Sequence, residues 1–318
     1  MSLDQNASVL DDAGGWHPTV AFDIGGTKTG MAVVDGRGNI LEQDSVPTGR
    51  LGDAIRTLDR MTDFTRRART NYGVLEGIGI GMAAQIDPAT GNVAGADDNI
   101  PGWAELQMRG HFWHTGGYRV AVDNDANVAA LAEGWVGIAA GESDYICLTL
   151  GTGVGGGVVS GGRLLLGAWG GAAELGHMSV YPDGPPCYCG GRGCLELYVS
   201  GPFLLERARA RGLVIERTSD LFALAVQRHV VAERLVSEAG MELGASVVSL
   251  VNILQPAVLV LGGGLARFAV PLWLPILDDM VRNRALPCNR KVRIAESTLG
   301  NDAALIGAAR LLHLSRAP

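Results

Sequence analysis

The 318-residue chain has no apolar run near the ~20 residues that a bilayer span requires, and no membrane partner is expected. It lacks an excess of positive charge: Lys and Arg total 26 against 33 Asp and Glu, a formal charge of -7. Non-specific nucleic-acid binding needs clustered cations that displace counterions, so no nucleic-acid partner is expected either. The first twenty residues carry Asp4, Asp11 and Asp12, with neither a basic start nor an apolar segment. They do not read as a secretory signal, and a cytoplasmic location is expected. Short repeats and low-complexity tracts are missing too. With 47% apolar and 19% charged residues the chain can bury a sizeable core, which excludes intrinsic disorder. Its length suits two domains or one large one.

Glycine is the residue in surplus, 46 in all, about twice the ordinary usage of ~7%. It gathers in short clusters at the ends of apolar segments, where a backbone turns tightly or approaches a ligand. Thr19 to Ile24 reads as a strand, Gly25-Gly26-Thr27-Lys28 as a turn and Met31 to Asp35 as a returning strand, with a third strand near Ile40. Asp53 to Arg69 has helical apolar spacing at Ile55, Leu58, Met61 and Phe64. Val74 to Met82 and Tyr118 to Val122 read as strands, and Ala126 to Trp135 as an Ala-rich helix. Tyr145 to Leu150 and Gly157 to Ser160 are strands about the turn Gly151–Gly156. Residues 203–212 and 219–252 read as helices, Ala257 to Leu261 as a strand running into Gly262-Gly263-Gly264, and Asp302 to Leu312 as a closing helix. Two regions thus open with a strand, a glycine turn and a strand, as two related α/β lobes would. The expected layout is a disordered tail at 1–15, an N-terminal lobe at 16–122, a C-terminal lobe at 123–300, and a helix at 301–318 returning to the first lobe.

The glycines of Asp23-Ile24-Gly25-Gly26-Thr27-Lys28 allow backbone N–H groups to face an anion. Asp23 can hold Mg2+ through water and Thr27 can donate to a phosphate. Alone, such a turn is equally well a plain hairpin. Thr152 and Gly153 belong to a second turn of the same kind, and two such loops can clamp a polyphosphate. Gly263 and Gly264, after an apolar strand, offer a close-approach surface suited to a nucleoside. Asp125, between a strand and a helix, reads either as a helix cap or as a base accepting a hydroxyl proton.

His177, Cys187, Cys189 and Cys194 have the spacing H-x9-C-x-C-x4-C. One imidazole and three thiolates fill tetrahedral Zn2+ and leave no open position, so a structural zinc loop at 177–194 is expected. Disulfide pairing is the rival, disfavoured without a secretory signal. Glu174, three residues before His177, and Glu196, two after Cys194, would be aimed by a metal holding those ligands. Cys147 and Cys288 lie in apolar sequence and read as core residues.

Together these segments resemble the ROK family of bacterial sugar kinases and sugar-responsive repressors. The likeness runs from Val20 to Leu312, through DIGGTK, GIGIGMAAQID with DDNIPGW, VDNDANVAALAE, LTLGTGVGGGVVSGGRL, GGAAELGHM, CYCGGRGCLE and NILQPAVLVLGGG. Within the family it is similar to the glucokinases of high-GC bacteria, which share the PDG and C-x-C-G-x-R-G-C-x-E runs. The resemblance implies two actin-like (ribonuclease H-like) α/β ATPase lobes with an interlobe cleft and a zinc-binding loop. It implies ATP-dependent phosphorylation of a hexose at the 6-hydroxyl, glucose first, with N-acetylhexosamine or fructose as alternatives.

By the same likeness Asp125 is the catalytic base, and Asn99, Asn124, Glu174, His177 and Glu196 hold sugar hydroxyls. Asp23, Gly25, Gly26, Thr27, Lys28, Thr152 and Gly153 serve the phosphates and Mg2+, Gly263 and Gly264 the adenosine, and a homodimer or homotetramer is implied. A repressor would need a DNA-binding module, and 22 residues precede Asp23. The chain departs from the family at Ala84 and Ala173, where glycine is usual. Each added methyl is expected near the sugar.

Overall fold

The structure is a computed structural model that describes residues 17–48, 54–94, 102–104 and 106–315. The tail expected at 1–15 and the candidate Asn99 lie outside the described residues. In chain order the elements are β1 (Thr19–Ile24), β2 (Lys28–Val34), β3 (Ile40–Pro47), α1 (Ala54–Tyr72), β4 (Gly77–Met82), α2 (Met108–Gly116), β5 (Val120–Asn124) and α3 (Asp125–Trp135). They continue as β6 (Tyr145–Leu150), β7 (Val154–Ser160), β8 (Arg163–Leu164), α4 (Glu196–Val199), α5 (Gly201–Arg209), α6 (Thr218–Val226) and α7 (Val230–Leu254). The last are β9 (Val258–Gly262), α8 (Ala266–Arg284), β10 (Arg293–Glu296) and α9 (Ala303–Leu314). No helix among the described residues is long and apolar enough to cross a membrane.

The chain divides into two compact units, one of the residues up to Ser143 with Gly157–Ala173 and Asn301 onward, the other of Asp144–Gly156 and Glu174–Gly300. The first unit is built on a mixed sheet ordered β3-β2-β1-β4-β5, antiparallel across β1, β2 and β3 and parallel across β1, β4 and β5. Alternation along β1 sends Val20, Phe22 and Ile24 into the cluster formed with Leu58, Met61 and Phe64 of α1. There Phe22 meets Phe64 edge-on and stacks on Phe112 of α2. Ile55, at the start of the same apolar spacing, is exposed instead. On the other face Ala21, Ala32 and Val34 pack on Leu305, Ala308 and Ala309 of α9. A side-chain carbon on Gly79 would overlap the Ala308 carbonyl, and one on Gly307 the Val128 carbonyl of α3. Glycine at these two positions is what lets α9 lie directly against β4 and α3.

The expected boundary at 122–123 is not where the contacts part. Helix α3 packs on α9, and Gly157 of β7 approaches α3 so closely that a Cβ there would come within 2.5 Å of the Ala130 methyl. The second sheet is ordered β10-β9-β6-β7-β8, with β9 parallel to both β6 and β10. This is the first sheet's order with β6 in place of β1, β7 of β2, β8 of β3, β9 of β4 and β10 of β5. The duplicated opening in the sequence is therefore a duplicated topology. The single helix expected over 219–252 is two, α6 and α7, broken where Arg228 takes a positive φ of 64°. Trp273 of α8 is fully buried and its indole N–H donates to the Val236 carbonyl of α7 at 2.8 Å. Cys147 lies in the core as expected, whereas Cys288 is exposed, in a 3-10 turn over Pro287–Lys291.

Candidate functional site

The first unit contributes a glycine turn and a helix start. Between β1 and β2 the Gly25 N–H donates to the Lys28 carbonyl at 3.1 Å, and the Thr48 N–H to the Thr27 carbonyl at 3.0 Å. Gly26, Thr27 and Lys28 are left exposed at the tip. Asp23 stands one residue before the end of β1, and burial pushes its carboxyl up to about 6, against the pull of Lys28. The Ala83 N–H donates to the Ile24 carbonyl at 3.0 Å, so the segment after β4 starts beside this turn.

Strand β5 passes into α3 with no residue between them. Asn124 is the helix cap: its Oδ1 accepts from the Ala126 N–H at 2.9 Å and the Asn127 N–H at 3.3 Å. Its Nδ2 donates to the Ala84 carbonyl at 3.2 Å, which ties the helix start to the segment after β4. The capping role open to Asp125 in the sequence thus falls to its neighbour. Asp125 is the first helical residue, half-buried, with Oδ1 accepting from the Ala126 N–H at 2.8 Å. Beneath them Asp123 is buried; its Oδ1 accepts from the Asn124 N–H at 2.7 Å and from Asn127 Nδ2 at 2.8 Å. Burial pushes its carboxyl up to about 6. Asp123 is not among the residues expected from the sequence, although the doubled carboxylate in VDNDAN marks it. Ala84 packs in the apolar core of this unit, not on an open surface.

The second unit brings its two glycine segments, at 151–156 and 262–264, together. In the β6–β7 turn the Gly151 N–H donates to the Gly153 carbonyl at 3.0 Å, and Thr152 is exposed. Gly263, with φ of 86°, lies against Leu150: a Cβ on it would come within 2.5 Å of the Leu150 carbonyl oxygen. Register explains this, because Thr149 pairs with Gly262 and both strands end at one level. Glu196 is buried at the start of α4, and its Oε2 accepts from the Val154 N–H at 2.8 Å. The same oxygen would lie 2.7 Å from a Cβ on Gly153. Glu174 and His177 flank a 3-10 turn, in which residues three apart eclipse; the His177 N–H donates to the Glu174 carbonyl at 3.1 Å.

His177, Cys187, Cys189 and Cys194 converge, with their ligand atoms all within 4.8 Å of one another. Cys187 Sγ is 3.7 Å from His177 Nδ1, and Cys189 Sγ is 3.6 Å from Cys194 Sγ. A disulfide needs about 2.05 Å, whereas metal bonds of about 2.0–2.3 Å make tetrahedron edges of roughly 3.5–3.8 Å. The donor set therefore fits a metal and not a crosslink. Burial pushes the Cys187 and Cys194 thiols up, and the Gly191 N–H pulls Cys189 down. A divalent cation would supply the charge that favours all three thiolates. Tyr188, between two of the ligands, was not singled out from the sequence. Its hydroxyl is 3.4 Å from His177 Nε2, and burial and the Glu196 carboxylate push it well above the usual range.

The ROK family model matches residues 19–314. A curated glucokinase of Streptomyces coelicolor is 35% identical, over 92% of this chain and 96% of its own length. An N-acetyl-D-glucosamine kinase of Salmonella arizonae is 30% identical over 92% of this chain and 98% of its own. Among solved structures, a ROK glucokinase of Streptomyces griseus in complex with glucose and AMPPNP superposes with a TM-score of 0.76. It is 31% identical, over 92% of this chain and 98% of that one. With the topology, the glycine turns and the His/Cys cluster on one chain, these likenesses place it: the protein belongs to the ROK family.

Proposed function

We propose that this protein is an ATP-dependent hexose kinase that phosphorylates glucose at the 6-hydroxyl. The observation that carries the reading is the start of α3, where Asn124 caps the helix and leaves Asp125 in the role of base. Asp125 takes the proton of the sugar hydroxyl as the oxygen attacks the γ-phosphorus and ADP departs with the broken bond's electrons. Asn124, Glu174, His177, Glu196 and Asn99 hold sugar hydroxyls, with Glu196 offering the oxygen that the Val154 N–H does not occupy. The backbone and side chains of Gly25–Lys28, Thr152 and Gly153 receive the phosphates, and Asp23 would hold Mg2+, which would neutralise phosphate charge. Gly263 and Gly264 face the adenosine. Catalysis is positioning and electrostatics, without a covalent enzyme intermediate.

Zinc is the metal that the three thiolates and one imidazole select; with all four positions filled its part is structural, holding His177 and the start of α4 in place. Thiolate ligands need a reducing compartment, which goes with a cytoplasmic enzyme. A homodimer or homotetramer is the assembly that the family likeness favours.

Sugar phosphate formation measured over glucose, mannose, fructose, allose and N-acetylated amino sugars tests the reading, with ATP and polyphosphate compared as donors and ADP release followed where ATP is the donor. The expected result is the highest kcat/KM for glucose with ATP. Faster turnover of N-acetylglucosamine moves the assignment to the amino-sugar kinases, and absence of hexose-dependent ADP release overturns it.

A further inference from the structure

Tyr188 sits between Cys187 and Cys189, so its backbone is held by the loop that carries the metal ligands, while its side chain projects from that loop. The ring stands edge-on to His177 at 5.3 Å between centroids and 86° between planes. His177 turns Nδ1 toward Cys187 Sγ, leaving Nε2 as its outward hydrogen-bonding atom, and the Tyr188 hydroxyl lies 3.4 Å from that atom. The Glu196 carboxylate lies close enough to the same hydroxyl to hold its proton in place. The hydroxyl thus holds the outward imidazole nitrogen, with the Glu196 carboxylate beside it. These are two of the groups to which sugar hydroxyls are assigned above. Tyr188 is 69% exposed and can swing about its χ angles with little loss of packing.

We propose that Tyr188 is a specificity-determining residue whose hydroxyl occupies, in the sugar-free protein, the position that one sugar hydroxyl takes on binding. The inference rests on the hexose-kinase reading. A sugar must exchange its own hydroxyl for the tyrosine's at His177 and Glu196, and a ligand without a hydroxyl at that place leaves the tyrosine where it is. Binding of a sugar that carries the hydroxyl is weakened by the exchange, whereas a sugar lacking it binds with the tyrosine still in place.

Calorimetric binding of glucose and its monodeoxy analogues to the zinc-loaded parent and to Tyr188→Phe tests this, alongside kcat and KM for each sugar. Loss of the one hydroxyl removes the competitor, and the expected result is a glucose Kd lowered about three- to tenfold, the net effect of one hydrogen bond. The gain should appear in KM and not in kcat. It should vanish for the one deoxy sugar that lacks the exchanging hydroxyl, and equal metal content in both proteins shows the loop intact. A Kd that is unchanged or raised in the variant, or a gain equal for every deoxy sugar, overturns the assignment. If the parent neither binds nor phosphorylates any hexose, the kinase reading itself falls and takes this one with it.

Discussion

Ala173 takes a φ of 64°, a left-handed conformation in which a Cβ crowds the following carbonyl. Family resemblance puts glycine at this position, and the backbone has kept the shape glycine would give it. Ala173→Gly should relieve roughly 1–2 kcal/mol of strain and lose part of that to the freer unfolded chain, a net gain of about 0.5–1 kcal/mol. Urea midpoints check the sign, and a loss of stability would mean that the methyl is held by packing. Ala84, the other departure, is 4% exposed and lies in the core, so its methyl is not a sugar contact as it stands; its carbonyl, which holds Asn124, is the part that bears on the site. Asp125→Asn keeps the size of the side chain and removes the base. Since Asn124 supplies the cap, the fold should persist while turnover drops ~10²-fold or more with sugar affinity largely retained. Activity within a factor of a few of the parent would refute the base assignment.

At the scale of the element, the metal loop and the second glycine turn form one construction. Glu196 at the start of α4 accepts from the Val154 N–H, and Gly176 in the 3-10 turn lies where a Cβ would overlap the Val154 carbonyl. A loosened loop should therefore disturb the β6–β7 turn as well. Metal analysis should return one zinc per chain, and Cys189→Ser should lower the unfolding midpoint and raise the sugar Kd about tenfold in the same protein. Metal loss with unchanged sugar binding would separate the loop from the site. Elements with a strong local signal were legible: β1, β2 and β6 from apolar runs ending in glycine, α3 from its alanines, and the ligand cluster from its spacing. Helix α8 was not, because Pro271 and Pro275 inside it read as breaks. The interruption at Arg228 was hidden for the opposite reason, since neither glycine nor proline marks it. The cap at Asn124 in preference to Asp125 depends on backbone angles, and two adjacent residues of similar capping strength do not reveal it.

In the first unit a buried polar contact joins Thr19 in the first strand to His313 in the last helix, Oγ1 to Nε2 at 3.1 Å. Burial, with help from Arg310 and Arg119, pushes His313 down to about 4 from an ordinary 6.5. The unfolded chain then takes up the proton first, so stability from this residue is present above pH ~6.5 and is lost as pH falls toward 4. Asp23 and Asp123, raised to about 6, act the other way: the folded form takes their protons first and gains as pH falls from 6 toward 3.8. Replacing His313 by Gln should remove the destabilising branch alone, and the parent's advantage over the variant should shrink between pH 7 and 4 by up to roughly 3 kcal/mol. A difference that stays constant over that range would show that the imidazole does not titrate on unfolding. The placement of α9 on β1, β4 and α3 has a consequence for how the molecule is made. Everything the first unit needs except Gly157–Ala173 and α9 has been translated by Ser143, yet the sheet face that receives α9 stays bare until Leu314 is translated. At 5–20 residues per second the wait from Trp135 to Ala303 is about ten to thirty seconds. During it the nascent chain exposes Ala21, Ala32 and Val34 as an unclosed surface, so the later unit is complete before the earlier one can shut.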